Sequence, residues 1–151
     1  MKNYLSIGVA ALLASQAFAG DDEWLSPVYK QIFQNELPIP KDKIKSYTYR
    51  NETTGNEIDF YEVDVQPFEQ QVYPGLKPAK LVGYDGVSPG PTFRMTKGRE
   101  AIVRFKNNGP KDISVHLHGS YSRAPFDGWA EDTTKNGQYK DYCEYQRSPS
   151  S

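Results

Sequence analysis

One cysteine, two histidines and no apolar run beyond residues 5–13 stand out as scarcities in this chain of 151 residues. A lone Cys143 excludes an internal disulfide, so the fold must hold by burial and backbone pairing. Crossing a bilayer as a helix takes about 20 consecutive apolar residues, and no stretch here is that long. Charge of either sign is also not in excess: 18 Lys and Arg stand against 19 Asp and Glu, for a net charge of −1. That balance removes the electrostatic case for nucleic acid or for an anionic membrane surface. No internal repeat, heptad pattern or low-complexity tract is present, which excludes solenoids and coiled coils.

The first nineteen residues have the marks of a secretory signal peptide. Lys2 supplies the positive start, residues 5–13 the apolar stretch, and Ala17-Phe18-Ala19 the small-x-small cleavage site, with Asp21-Asp22-Glu23 following. The mature chain is expected to begin near Gly20 and to be secreted. Asn51-Glu52-Thr53 is then a glycosylation sequon open to a eukaryotic secretory pathway. Residues 20–44 read as an N-terminal extension with a short helix. Ser26 would cap it, Pro27 would occupy its first turn, and Tyr29, Ile32 and Phe33 would share a face, before Leu37-Pro38-Ile39-Pro40 ends it.

Beyond residue 44 the pattern turns to strands. Residues 45–50 and 57–65 are β-rich and flank Gly55-Asn56, a turn signal. Residues 81–84 form a short strand, and Gly and Pro make residues 85–91 a loop. In residues 100–106, Ala101, Val103 and Phe105 alternate with Glu100, Ile102, Arg104 and Lys106. In residues 113–118, Ile113, Val115 and Leu117 alternate with Ser114, His116 and His118, after the turn Asn107-Asn108-Gly109-Pro110-Lys111-Asp112. Period-two alternation predicts strands with one face on a core. Several short strands between Gly/Pro turns predict an all-β fold, a β-sandwich.

Both histidines fall in His116-Leu117-His118-Gly119. On an extended backbone, residues two apart point to the same side, so the two imidazoles leave together while Val115 and Leu117 turn to the core. Imidazole is a ligand for copper, zinc, iron and nickel. By spacing alone, two surface histidines alternating with core residues is the commoner explanation. Two ligands also fall short of the usual three or four, so a metal site would need others.

The surroundings are more specific. Tyr84-Asp85-Gly86-Val87-Ser88-Pro89-Gly90-Pro91-Thr92-Phe93 precedes Lys97-Gly98 and a strand; His116-Leu117-His118-Gly119-Ser120 and Arg123-Ala124-Pro125-Phe126-Asp127-Gly128-Trp129-Ala130-Glu131-Asp132 follow. This ordered string resembles the amino-terminal domain of multicopper oxidases, closest to the bilirubin oxidase and spore-coat laccase branch, over residues 24–142. The resemblance implies a Greek-key β-sandwich of cupredoxin (plastocyanin-like) type over residues 45–142. It implies that His116 ligates the type 2 copper and His118 one of the paired type 3 coppers of a cluster only partly ligated by this chain. It places Asp127 where an acidic residue assists proton delivery during oxygen reduction; as a plain Asp-Gly, the same pair also suits a tight turn. Phe126 and Trp129 are expected to be packing residues rather than substrate contacts.

The family draws eight histidines from four His-x-His pairs, and this sequence holds one pair. Residues 143–151 carry no recognised family pattern, so the sandwich is expected to be incomplete at its C-terminal end. Cys143 has no histidine after it and is not expected to be a blue-copper ligand. Copper is the implied partner, with dioxygen and small reducing substrates such as phenols or tetrapyrroles acting on the full-length parent. The chain alone is not expected to turn over. A secreted copper-binding module without catalysis and an inactive truncation product are the alternatives.

N-terminal sequencing of the chain exported from a secreting host should give a start at or near Gly20. Exported protein that still carries residues 1–19 would contradict the signal-peptide assignment.

Overall fold

The computed structural model describes residues 32–33, 36–120 and 122–145. Two compact units divide the chain, Met1–Glu36 and Leu37–Ser151. In the first, residues 1–31 lie outside the described residues, and with them the signal peptide and the start of the short helix; Ile32 and Phe33 form an exposed turn.

Among the described residues, the second unit is built on one five-stranded sheet. Its strands are β1 (Tyr47–Arg50), β2 (Glu57–Gln70), β3 (Ala79–Tyr84), β4 (Glu100–Asn107) and β5 (Tyr139–Tyr145), with a 3-10 turn at Ala124–Phe126. β1 and β2 form the hairpin that Gly55-Asn56 signals. Gly55 takes φ +72°, which a side chain would resist. Asn51 Oδ1 accepts the backbone N–H groups of Thr53 at 2.9 Å and Thr54 at 3.2 Å and folds the turn on itself. β2 is long because it serves two neighbours: residues 58–65 lie parallel to β4, and residues 65–70 pair antiparallel with β3. β5 then adds antiparallel to the other side of β4.

Alternation in β4 plays out as the sequence predicts. Ala101, Val103 and Phe105 are buried beside Tyr61, Val63, Val65 and Tyr142. Phe93, Met95, Ile113, Val115 and Phe126, all from loops, cover this face. Apolar burial of this kind contributes about 25 cal/mol per Å2, so packing on this face helps to hold the covering loops. On the opposite face Tyr47 stacks on Phe60 with centroids 4.7 Å apart, and the Arg104 guanidinium lies over Phe60 and Tyr139. Arg104 is also bidentate to Asp141, at 2.7 and 2.8 Å. Near the start of β2, Asp59 accepts from Lys45 Nζ, Thr48 Oγ1 and Arg99 Nη2. Burial works against its charge, but the Thr48 and Lys45 hydrogen bonds and the Arg99 charge outweigh it and hold the carboxyl below its ordinary range.

The all-β architecture is as expected: an open sheet with a layer of loops on its core face. One predicted strand is not realised. Residues 113–118 are extended but make no ladder; their one backbone bridge joins Ile113 to Thr134. The reason is the lack of a neighbouring strand among the described residues: the Val115 N–H finds the Tyr142 hydroxyl at 3.3 Å instead. Val115 does pack on the core, whereas Leu117 is 46% exposed, because the chain leaves the sheet there and turns at His118-Gly119. Cys143 lies within β5, opposite Ile102 of β4.

Asn107, wholly buried at the end of β4, ties these loops down. Its Nδ2 donates to the carbonyls of Lys111 and Thr134, both at 2.8 Å, and its Oδ1 accepts the Gly109 N–H at 2.9 Å. Its own N–H donates to Gln138 O, and its carbonyl accepts from Gly137. Asn107→Asp keeps the shape but sets an oxygen against two carbonyls; Asn107→Ala leaves those carbonyls without their donor. Both should destabilise by about 2–4 kcal/mol in urea unfolding, with Asp the worse. A loss below about 0.5 kcal/mol for Asp, the level of an ordinary surface change, would show that the amide is not the clamp.

Candidate metal centre

The histidine segment is fixed at four points. At its base, Ile113 and Thr134 exchange N–H···O bonds of 3.1 and 2.7 Å. Ser114 Oγ donates to Trp129 O at 2.7 Å. Val115 is held by Tyr142, as above. The fourth contact is backbone on backbone: Gly128 sits directly against the Val115 carbonyl. A Cβ at Gly128 would overlap that carbonyl, and φ +69° there already favours glycine. The Asp-Gly pair thus forms a bend after the 3-10 turn, and its glycine is what lets this loop reach the histidine segment.

That approach brings Asp127 to His116. The His116 Nδ1 lies 2.5 Å from the Asp127 backbone oxygen and 3.5 Å from its Oδ1. A carbonyl can only accept, so Nδ1 carries the hydrogen, and in the neutral ring Nε2 is then the nitrogen with the lone pair. Tying one ring nitrogen to a carbonyl and leaving the other open is how proteins orient a metal-ligating imidazole. The His118 ring stands beside the His116 ring, centroids 4.8 Å apart at 75°. The expectation that both imidazoles leave on one side thus holds without the strand, because alternation belongs to the extended backbone and not to the ladder. The His116 and Asp127 side chains are 45% and 32% accessible, so solvent reaches both.

The donor set suits copper, for which neutral imidazole is a ligand. It suits part of a shell: among the described residues, no third His, Cys, Asp or Glu joins the pair in a metal-binding cluster. Cys143 is on the sheet face away from the histidines, since Tyr142 is the β5 residue that turns to the core face. Phe126 packs on the core as expected. Trp129 does not: it is 59% exposed and meets the segment through its backbone oxygen. Tyr142 and Asn107 carry no motif signal that marks them as supports. A polar residue ending an apolar strand, as Asn107 does, was the one available hint.

A family model described as multicopper oxidase matches residues 68–148, more than half of the chain. The chain is 56% identical over 118 residues to a bilirubin oxidase of Albifimbria verrucaria, a stretch that is 78% of this chain and 20% of that protein. Against a laccase of Bacillus subtilis (strain 168) identity is 29% over 121 residues, covering 66% of this chain and 22% of the relative. The chain thus spans about a fifth of the length of these two relatives. Among solved structures, a multi-copper oxidase from Pediococcus acidilactici superimposes with a TM-score of 0.66 at 23% identity, over 76% of this chain and 23% of that one. At that identity the likeness speaks to the fold.

Gly128→Ala should push the Asp127 loop off His116 while leaving both imidazoles in place. Copper affinity of the full chain, measured by competition with a chromophoric chelator, should fall about 10- to 100-fold, the usual cost of losing support behind a ligand. Equal affinity in the variant would mean that this contact does not orient the ligand.

Proposed function

This chain belongs to the multicopper oxidase family, and we propose that it is the part of a secreted oxidase that supplies His116 and His118 to a copper cluster. The observation that carries this is the paired imidazoles, one with its tautomer set by the Asp127 carbonyl. In this reading His116 serves the type 2 copper and His118 one type 3 copper, with the remaining ligands contributed from outside the described residues. Copper, when bound, supplies the electron transfers by which dioxygen is reduced to water at the expense of a small reducing substrate.

The protein's own groups have distinct tasks. His116 presents Nε2 because Nδ1 is held by Asp127. His118 follows on the same side, and its neighbour Gly119, at φ +77°, turns the chain away after it. In this reading Asp127 has two parts with two uses: the backbone oxygen orients the ring, and the carboxylate, 3.5 Å from the same ring and reached by solvent, would pass protons inward. The names of the relatives, bilirubin oxidase and laccase, support tetrapyrrole- or phenol-like reductants as the substrate class.

The test is a chimera in which the 118 matched residues of the Albifimbria verrucaria bilirubin oxidase are replaced by those of this chain. It should consume oxygen with a phenolic or tetrapyrrole donor. Replacing either histidine, His116→Ala or His118→Ala, should lower turnover by at least about 10²-fold, since a ligand matters no less than the groups behind it. The full chain on its own, copper-loaded, should take up no oxygen. A chimera equally active with both histidines removed would overturn the assignment.

A further inference from the structure

We infer that Asn51 carries an N-linked oligosaccharide, and that it sits on the sheet face turned away from the histidines. This rests on the reading that the chain enters a secretory pathway. Asn51-Glu52-Thr53 is the sole Asn-x-Ser/Thr triplet in the sequence, and its middle residue is not proline.

The fold places the triplet where a bulky polar chain can be carried. Asn51, itself half-buried, directly follows β1 and opens the β1–β2 turn, whose residues 52–56 are all exposed. A glycan within a paired strand would collide with its neighbours; at the turn it extends into water. Local geometry also separates the two ends of the Asn51 amide. Oδ1 is occupied by the N–H groups of Thr53 and Thr54, while Nδ2, the atom to be modified, makes no hydrogen bond among the described residues. Attachment at Nδ2 therefore leaves the hydrogen bonds that fold the turn intact.

The transfer is redox-neutral. In a lipid-linked diphospho-oligosaccharide, the bond between the anomeric carbon and the diphosphate oxygen breaks. A bond from that carbon to Nδ2 forms, Nδ2 gives up one proton, and the lipid diphosphate leaves with the electron pair.

The first sugars would find a surface. Asn51 borders a shallow depression lined by Tyr49, Glu52, Ile58, Ile102 and Cys143. The exposed Tyr49 and the half-buried Ile102 give it apolar surface, beside the charged Arg50, Glu52 and Glu100, a mixture that suits the C–H faces and hydroxyls of sugars. Ile102 and Cys143 pair across β4 and β5 one residue out of phase with Val103 and Tyr142, which face the histidine segment. The glycan and the imidazoles thus occupy opposite faces of the sheet.

The full chain, with its own leader in one arm and a proven heterologous leader ahead of Gly20 in another, would be secreted from a eukaryotic host. Exported product should run heavier by one glycan and collapse on treatment with peptide N-glycosidase, leaving Asp at position 51 by mass spectrometry. Asn51→Gln and Thr53→Ala should abolish the shift, Thr53→Ser should keep it, and Asn51→Gln should bind copper as the parent does. Failure of the native leader, with glycosylation in the heterologous arm, would overturn the secretion reading and leave the site standing. Exported chain without modification at Asn51 in the heterologous arm would overturn the site, and weakened copper binding by Asn51→Gln would overturn its placement on the far face.

Discussion

The base of the histidine segment is hung from one buried side-chain amide. Asn107 ends β4 with no solvent contact, and its three side-chain hydrogen bonds join the Gly109–Lys111 turn to the Thr134 backbone. Thr134 is also the partner of Ile113, where the histidine segment begins. A buried amide left without partners costs far more than the net gain of making its bonds. The turn, the Thr134 strand-like stretch and the base of the histidine segment are therefore not independent choices. Farther along, the segment relies on single contacts, the Tyr142 hydroxyl and the Gly128 backbone, in place of a ladder.

How much could be read beforehand follows from the range over which each signal acts. β4 was legible because Ala101, Val103 and Phe105 bury one face of a strand that is paired on both sides. The β1–β2 hairpin was legible because Gly55 punctuates it locally. β2 outruns its sequence signal, since residues 66–70 pair only with β3 and their sequence, Gln66-Pro67-Phe68-Glu69-Gln70, lacks a clean two-residue apolar rhythm. Residues 113–118 have that rhythm and yet form no strand: alternation reports which side chains can share a face, not whether a neighbouring backbone is there to pair. The same separation explains why the histidine geometry was legible although the strand was not. Trp129 departs from its sequence expectation for a related reason. Its contribution is a backbone oxygen, which leaves no trace in side-chain chemistry.

Asp127 shows how a motif read as chemistry can also be architecture. Its backbone oxygen and its carboxylate approach the same imidazole nitrogen, at 2.5 and 3.5 Å. Removing the carboxylate by Asp127→Asn would leave the first contact intact, so orientation and proton handling are separable in this site. Gly128 links the two, because its missing side chain sets the distance at which the loop sits.

The order of β5 along the chain carries a temporal consequence. Residues 108–138, between β4 and β5, contain the whole histidine site, and the Tyr142 that steadies Val115 lies on β5 itself. Closing a loop of about thirty residues costs on the order of 3 kcal/mol in chain entropy, recovered only when β5 docks on β4. During synthesis the histidines emerge well before that strand. A nascent chain that has reached His118 holds both imidazoles but not the scaffold that aims them, so the ligand geometry matures in one step with the docking of β5, and a metal that arrives earlier meets a floppy chelate in place of a built site.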